Sequence, residues 1–242
     1  MPAPSSLGLK LFWNMDTLTG GGKMSDLTEN GFDGTLSGIY AFKTGKVGRC
    51  MAFGEDLSGN VGMAAELSRP LAGSTNYTMV AWVKPLAPDQ GINLVGVGAV
   101  PLGSGNGAAF LYYDSVYGAE VSNKFIFVAR AGGVANRLVK YTTYATGTFH
   151  HLAMTYDGST VVAYIDGTAA TSLSASGTYT YESNFTVGQD NWIDEVRLYN
   201  RALSASEILD LYLSVDRNDL HDPLADMLRD WKRKWRTVLP RD

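Results

Sequence analysis

The chain has 242 residues, 45% of them hydrophobic, with 27 glycines, a formal net charge of −4 and only 18% charged residues, against the ~25% usual in globular domains. That balance excludes disorder and a coiled coil, and it lacks the basic excess of a nucleic-acid binder. The one cysteine, Cys50, excludes an internal disulfide and a cysteine-held zinc.

Met1-Pro2-Ala3-Pro4-Ser5-Ser6 offers neither a basic nor an apolar leader, so export by a cleaved signal is not expected, and no run approaches the ~18 apolar residues of a membrane span. From Leu7 to Val196, short apolar or alternating runs are split by Gly, Asn, Asp and Ser clusters, the pattern of an all-β sandwich or barrel. The runs predict strands over Leu9–Met15, Cys50–Phe53, Tyr77–Lys84, Phe110–Tyr113, Lys124–Arg130, Phe149–Tyr156, Val161–Ile165 and Ile193–Leu198. Asp33-Gly34, Asp157-Gly158 and Asp166-Gly167 are Asp-Gly pairs of the kind that accept the positive φ of tight hairpins. Ser204 with Glu207 three residues on reads as a capping box opening a short helix, Glu207 to Leu213. No fixed-period repeat is present, which disfavours a solenoid or propeller.

Composition changes near residue 214, dividing the chain into a body, 1–214, and a charged tail, 215–242, without glycine. In the tail, Asp222 can cap a helix, Pro223 suits its first turn and Pro240 ends it. Leu220, Leu224, Met227, Leu228, Trp231 and Trp235 fall on one stripe, beside a basic cluster of Lys232, Arg233, Lys234 and Arg236. The pattern predicts an amphipathic docking helix anchored by both tryptophans on an acidic groove of a neighbouring protein, with self-packing and membrane-surface binding as its competitors.

Asn76 to Pro85, Thr148 to Gly158, Ala163 to Gly167 and Ile193 to Ser204 stand in the order of the landmarks of laminin G-like (LamG) concanavalin A-type jelly-roll domains, and residues 7–213 resemble that family. Trp13-Asn-Met-Asp16 with Asp26 to Gly34, and Gly45-Lys-Val-Gly-Arg-Cys-Met-Ala-Phe53, agree with it. The resemblance implies a jelly-roll sandwich of two facing antiparallel sheets with one short helix, a structural calcium ion and a sugar-binding edge.

Retaining glycoside hydrolysis needs two carboxylates ~5 Å apart on one face. No Glu-x-Asp-x-x-Glu run exists; alternation puts Glu55 and Asp56, and Asp194 and Glu195, on opposite faces, and no catalytic residue is assigned. It likewise separates His150 and His151, one packed and one at the surface, and Cys50 reads as an inert buried thiol. The same alternation puts Asp194 with Val196 and Leu198 on the core face, where a carboxylate needs a partner. Two readings stay open: an ion pair with Arg201, or calcium held by Asp194 with Asp16 and Asn30. For sugar, the candidates are Asn106, Tyr112, Tyr113, Asp114, Tyr117 and Trp192, while Trp13 and Trp82 read as core.

These features favour a non-enzymatic structural and binding protein, a virus-particle (phage) decoration or tail component located in the virion and docked through its tail. Its partners would be proteins of a capsid or tail shell, a glycan and further copies of itself, without nucleic acid or membrane. The alternative is a cell-surface carbohydrate-binding or adhesion module.

Overall fold

The computed structural model of the chain describes residues 6–38, 40–53, 62–65, 71, 74–86, 92–97, 108–113, 124–131, 134–139, 144–175, 185–188 and 191–214. The docking residues of the tail, Leu224 to Arg236, lie outside these. In chain order the elements are β1 (Leu9–Trp13), β2 (Gly34–Ser37), β3 (Tyr40–Thr44), β4 (Arg49–Phe53), β5 (Gly62–Ala65), β6 (Tyr77–Pro85), β7 (Ile92–Val97), β8 (Ala108–Tyr113), β9 (Lys124–Ala131), β10 (Val134–Val139), β11 (His150–Tyr156), β12 (Thr160–Ile165), β13 (Thr168–Ser174), β14 (Phe185–Gly188), β15 (Asn191–Tyr199) and α1 (Ala205–Leu213).

The strands pair into two sheets. Sheet A runs β13-β12-β11-β6-β15-β4-β3 with β1 also on β15, and sheet B runs β10-β9-β8-β7-β14-β5-β2. The eight predicted strands are all present, and every pairing among the described strands is antiparallel. Asp166 (φ 50°) and Gly167 (φ 76°) form the two-residue turn that closes the β12–β13 hairpin. Asp33-Gly34 is not a hairpin turn: Gly34 opens β2, and Asp33 Oδ1 accepts the Asp26 amide at 2.9 Å.

The inner faces meet in one core. Trp13, Met51, Phe53, Met79, Leu152, Met154, Val196 and Leu198 come from sheet A and Phe125, Phe127, Phe185 and Val187 from sheet B. Trp13 bridges the sheets, its ring centre 5.3 Å from that of Phe185 and its Nε1 donating to the Phe32 carbonyl at 2.9 Å. Burying such aromatics supplies the largest apolar area per side chain.

The outer face of sheet A is covered at one end by α1, whose Ile208 and Leu211 pack with Val80, Ala153, Tyr164, Tyr199 and Leu203. The expected capping box is formed: Ser204 accepts the Glu207 amide and Glu207 accepts the Ser204 amide. Arg201 clamps the helix start, pairing with Glu207 at 2.5 Å and donating from Nε to the Leu7 carbonyl at 2.7 Å. It is therefore not the partner of Asp194.

Candidate functional site

Strand β15 organises the site because one of its edges serves two neighbours in succession. It pairs with β4 over Asn191–Ile193 and with β1 over Val196–Tyr199, while β6 runs along the other edge. Between the two partners the β15–β6 register slips from Asp194 to Arg197, and Glu195 takes a φ of 53°. A bulge of this kind inserts a residue and resets which side chains face the core. Ile193 before it and Val196 after it both point into the core, whereas Asp194 lies opposite Trp82 on the outer face. This corrects the sequence expectation in two ways. Asp194 does not share the face of Val196 and Leu198, and Glu195 is not segregated from it: Glu195 Oε2 pairs at 2.5 Å with Arg197, whose guanidinium lies 4.0 Å over the outer-face Phe12 ring.

Asp194 is fully buried under the β3–β4 hairpin. Its Oδ2 accepts the Val47 amide at 2.9 Å. Gly45 makes the approach feasible: a Cβ there would stand 2.6 Å from both Asp194 Oδ2 and the Arg49 carbonyl carbon. Burial first, and the adjacent Glu195 charge second, push the Asp194 carboxyl well above the usual carboxylate range. With Asp194 at 0% and Glu195 at 1% exposure, neither carboxylate of this pair reaches a substrate on the surface.

The calcium donors expected from the sequence do not converge. Asn30 donates from Nδ2 to the Lys10 carbonyl at 3.0 Å and to Thr28 Oγ1 at 3.0 Å. Lys10 lies level with Leu198 and Tyr199 in the β1–β15 register, at least four residues from Asp194, or about 13 Å at the rise of a strand. Asp16 Oδ1 accepts the Arg49 amide at 2.8 Å. The Val47 and Arg49 amides of one hairpin thus occupy an oxygen each of Asp194 and Asp16, and no three His, Cys, Asp or Glu side chains among the described residues group as a metal site. The three residues do not fit a single ion.

The histidines face opposite ways, as alternation requires, but neither is a surface residue. His150 packs against Phe125 and Tyr144, at ring separations of 5.4 and 5.1 Å, and its Nδ1 lies within hydrogen-bond distance of Asp166 Oδ2, 2.9 Å. His151 is fully buried on the outer face between Trp82 and Tyr212, with no hydrogen-bond partner for either ring nitrogen among the described residues. Burial, helped by the Arg197 charge, lowers its pKa to about 3. Trp82 is buried on that outer face, stacked on Tyr212 at 5.5 Å, rather than between the sheets.

Beyond α1 the same face carries an accessible aromatic group. Trp192 is half-buried, in register with Ala52 on one side and Lys84 on the other, and Ala52 with Ala41 beyond it. Two alanines therefore leave the sheet low on the β3 side of the indole. Lys84 Nζ stands 3.6 Å from the ring centre, Lys43 Nζ approaches at 6.0 Å, and Phe149 meets the ring edge-on at 6.3 Å. Lys46 Nζ lies 4.6 Å over Trp82 in the next row. Sequence reasoning singled out Trp192 but missed Lys43, Lys46, Lys84 and Phe149, because their convergence depends on strand pairing. Of the other sugar candidates, Tyr112 and Tyr113 end β8, paired with Phe125 and Lys124. Asn106, Asp114 and Tyr117 lie outside the described residues.

Residues 58–209 match the Laminin_G_3 family of the concanavalin A-like lectin/glucanases superfamily, and the chain belongs to it. Solved structures with this fold include domain 4 of AbnA, an extracellular arabinanase from Geobacillus stearothermophilus, in complex with arabinotriose: 21% identity, 86% of this chain and 100% of that one, TM-score 0.67. The binding domain of Paraclostridial Mosquitocidal Protein 1 superposes with a TM-score of 0.68 at 15% identity, and the binding domain of botulinum neurotoxin DC, in complex with SialylT, with 0.61 at 12%. Each of these two covers 86% of this chain, which spans about half of their length, 52% and 51%. A comparison with curated proteins returns no match.

Proposed function

We propose that this protein is a non-catalytic carbohydrate-binding module whose sugar platform is the Trp192 ring on the outer face of sheet A. The observation that carries the proposal is a half-buried indole in a shallow surface, flanked by Phe149 and by the ammonium groups of Lys43 and Lys84. A sugar offers C–H patches to an aromatic face and hydroxyls to polar groups at its border. Membership in a superfamily of lectins and glucanases, and a neighbour solved with arabinotriose, support the same reading. The test is calorimetric titration of the full chain with a panel of oligosaccharides that includes arabinotriose. Trp192→Ala is expected to weaken binding at least about ten-fold, the lower range for loss of an aromatic contact, without changing the fold. Binding indifferent to Trp192→Ala would remove the platform, and no binding across the panel would remove the function.

Two settings for such a module compete. The tail stripe from Leu224 to Trp235 supports a particle-borne decoration or tail component, docked through residues 215–242. The extracellular arabinanase and toxin binding domains among the structural neighbours support a cell-surface or secreted one. Deleting 215–242 and following both melting temperature and recovery in assembled particles separates them. Lost stability with retained recovery would show the tail packing on its own sandwich.

A further inference from the structure

Lys84 is placed where a sugar ring would have to lie. Its Nζ stands 3.6 Å from the centre of the Trp192 ring and 5.9 Å from that of Phe149, so the ammonium occupies the aromatic platform. Lys43 reaches the same indole from the other side in the strand order, since β15 lies between β4, with β3 beyond it, and β6. Lys46, exposed like Lys43, adds a third ammonium one row away. Among the described residues no carboxylate pairs with Lys46 or Lys84, and the nearest acidic group of this strand, Asp194, is buried beneath the hairpin with its ionised form disfavoured.

We infer that the Trp192 platform selects acidic glycans, with Lys84 as its gate and Lys43 as its second cation; the inference rests on the carbohydrate-binding reading above. A neutral sugar can stack on Trp192 only by displacing the Lys84 ammonium from the ring, and it returns nothing of equal strength to that cation. A sugar carrying a carboxylate or sulfate gives the displaced ammonium a charge-assisted partner, stronger than a neutral hydrogen bond, and frees the indole for C–H stacking in the same step. The lysine therefore opposes one class of ligand and rewards the other. Exclusion of the wrong ligand is built in along with attraction to the right one.

The test compares matched pairs on the full-length chain: trigalacturonate against its methyl ester, and 3′-sialyllactose against lactose, each by calorimetry at low and at physiological salt. The expected result is that the acid of at least one pair binds about ten-fold or more tightly than its neutral partner. Lys84→Gln should lose most of that preference by weakening the acid and strengthening the neutral sugar, while Trp192→Ala loses both ligands. Neutral and acidic partners bound equally, and both lost in Trp192→Ala, would overturn the selectivity and leave the carbohydrate platform standing. Acid binding that survives Trp192→Ala and vanishes at physiological salt would be attraction to surface charge alone and would overturn the inference. No binding of any of the four probes by the wild type would overturn it, and the platform would fall with it only if arabinotriose and the rest of the panel also failed to bind. Circular dichroism melts of both variants establish that the fold is intact.

Discussion

Asp194 and Val196, two residues apart on one strand, point to opposite faces of sheet A, Asp194 towards Trp82 and Val196 into the core beside Trp13. The bulge at Glu195 thereby places a carboxyl group under the β3–β4 hairpin instead of between the sheets, where amides rather than apolar side chains receive it.

That placement gives a pH signature. The folded-state pKa of Asp194 is raised, so its contribution is full below the ordinary carboxylate range and is lost as pH rises through the raised value. Wild type is expected to lose stability relative to Asp194→Asn as pH increases across that window, measured by urea unfolding at a series of pH values. A destabilised Asp194→Asn at neutral pH, with a wild-type melting temperature that rises on adding calcium, would instead make Asp194 a metal ligand.

Gly45→Ala tests the hairpin itself. Its Cβ would meet Asp194 Oδ2, the Arg49 carbonyl carbon and the Arg49 carbonyl oxygen at 2.6, 2.6 and 2.7 Å, two of them backbone atoms that cannot swing aside. Overpacking of this kind costs about 1–3 kcal/mol, and a melt should show it as a drop of several degrees. An unchanged melt would mean that the hairpin shifts freely and does not hold Asp194 in place.

His151 should act in the opposite sense to Asp194. Its pKa falls from 6.5 to about 3 on folding. The unfolded chain therefore takes up a proton first, and stability present above pH ~6.5 is lost as pH falls towards the folded value. His151→Phe keeps a ring between Trp82 and Tyr212 and removes the charge. It is expected to reduce acid lability between about pH 6 and 3 by a few kcal/mol. Acid unfolding of the variant that coincides with wild type would show that His151 is not what titrates.

Glu207 connects the body to α1. Hydrogen bonding from Arg201, then from the Ser204 amide and hydroxyl, lowers its pKa to about 2. Its contribution is present above the ordinary value near 4.5 and is lost as pH falls through 2. Glu207→Gln should cost about 1 kcal/mol at pH 7, the scale of a helix cap, and progressively less as pH falls through the folded value. Amide exchange that remains unchanged in Ala205–Leu213 at neutral pH would show that the clamp is not what holds the helix.

What was legible in the sequence followed burial. Each strand with a long buried run, such as Tyr77–Pro85 or His150–Tyr156, announced itself. The edge strands β13, β3, β10 and β2 did not, nor did β5, β7 and β14 inside sheet B. β13, Thr168–Ser174, is exposed or half-exposed along its whole length, so it carries no apolar alternation to read. The bulge was hidden for a different reason: strict period-two reading assumes that no residue is inserted, and nothing local in Ile193-Asp-Glu-Val marks Glu195 for a positive φ. The lysines around Trp192 come from β3 and β6, which flank β15 and β4 only after the chain has folded. Trp192 could be named as a candidate from its type, but its neighbours could not.

The one thiol of the protein sits inside the hairpin that covers Asp194. Cys50 is fully buried on β4, with Sγ 3.6 Å from the Thr44 carbonyl across the turn. Because β3 is an outermost strand of its sheet, peeling it away is the shortest route by which an alkylating reagent could reach that sulfur. Maleimide modification of native protein would then act as a clock for the edge, counting how often the cover over a buried acid lifts while the rest of the sandwich stays closed.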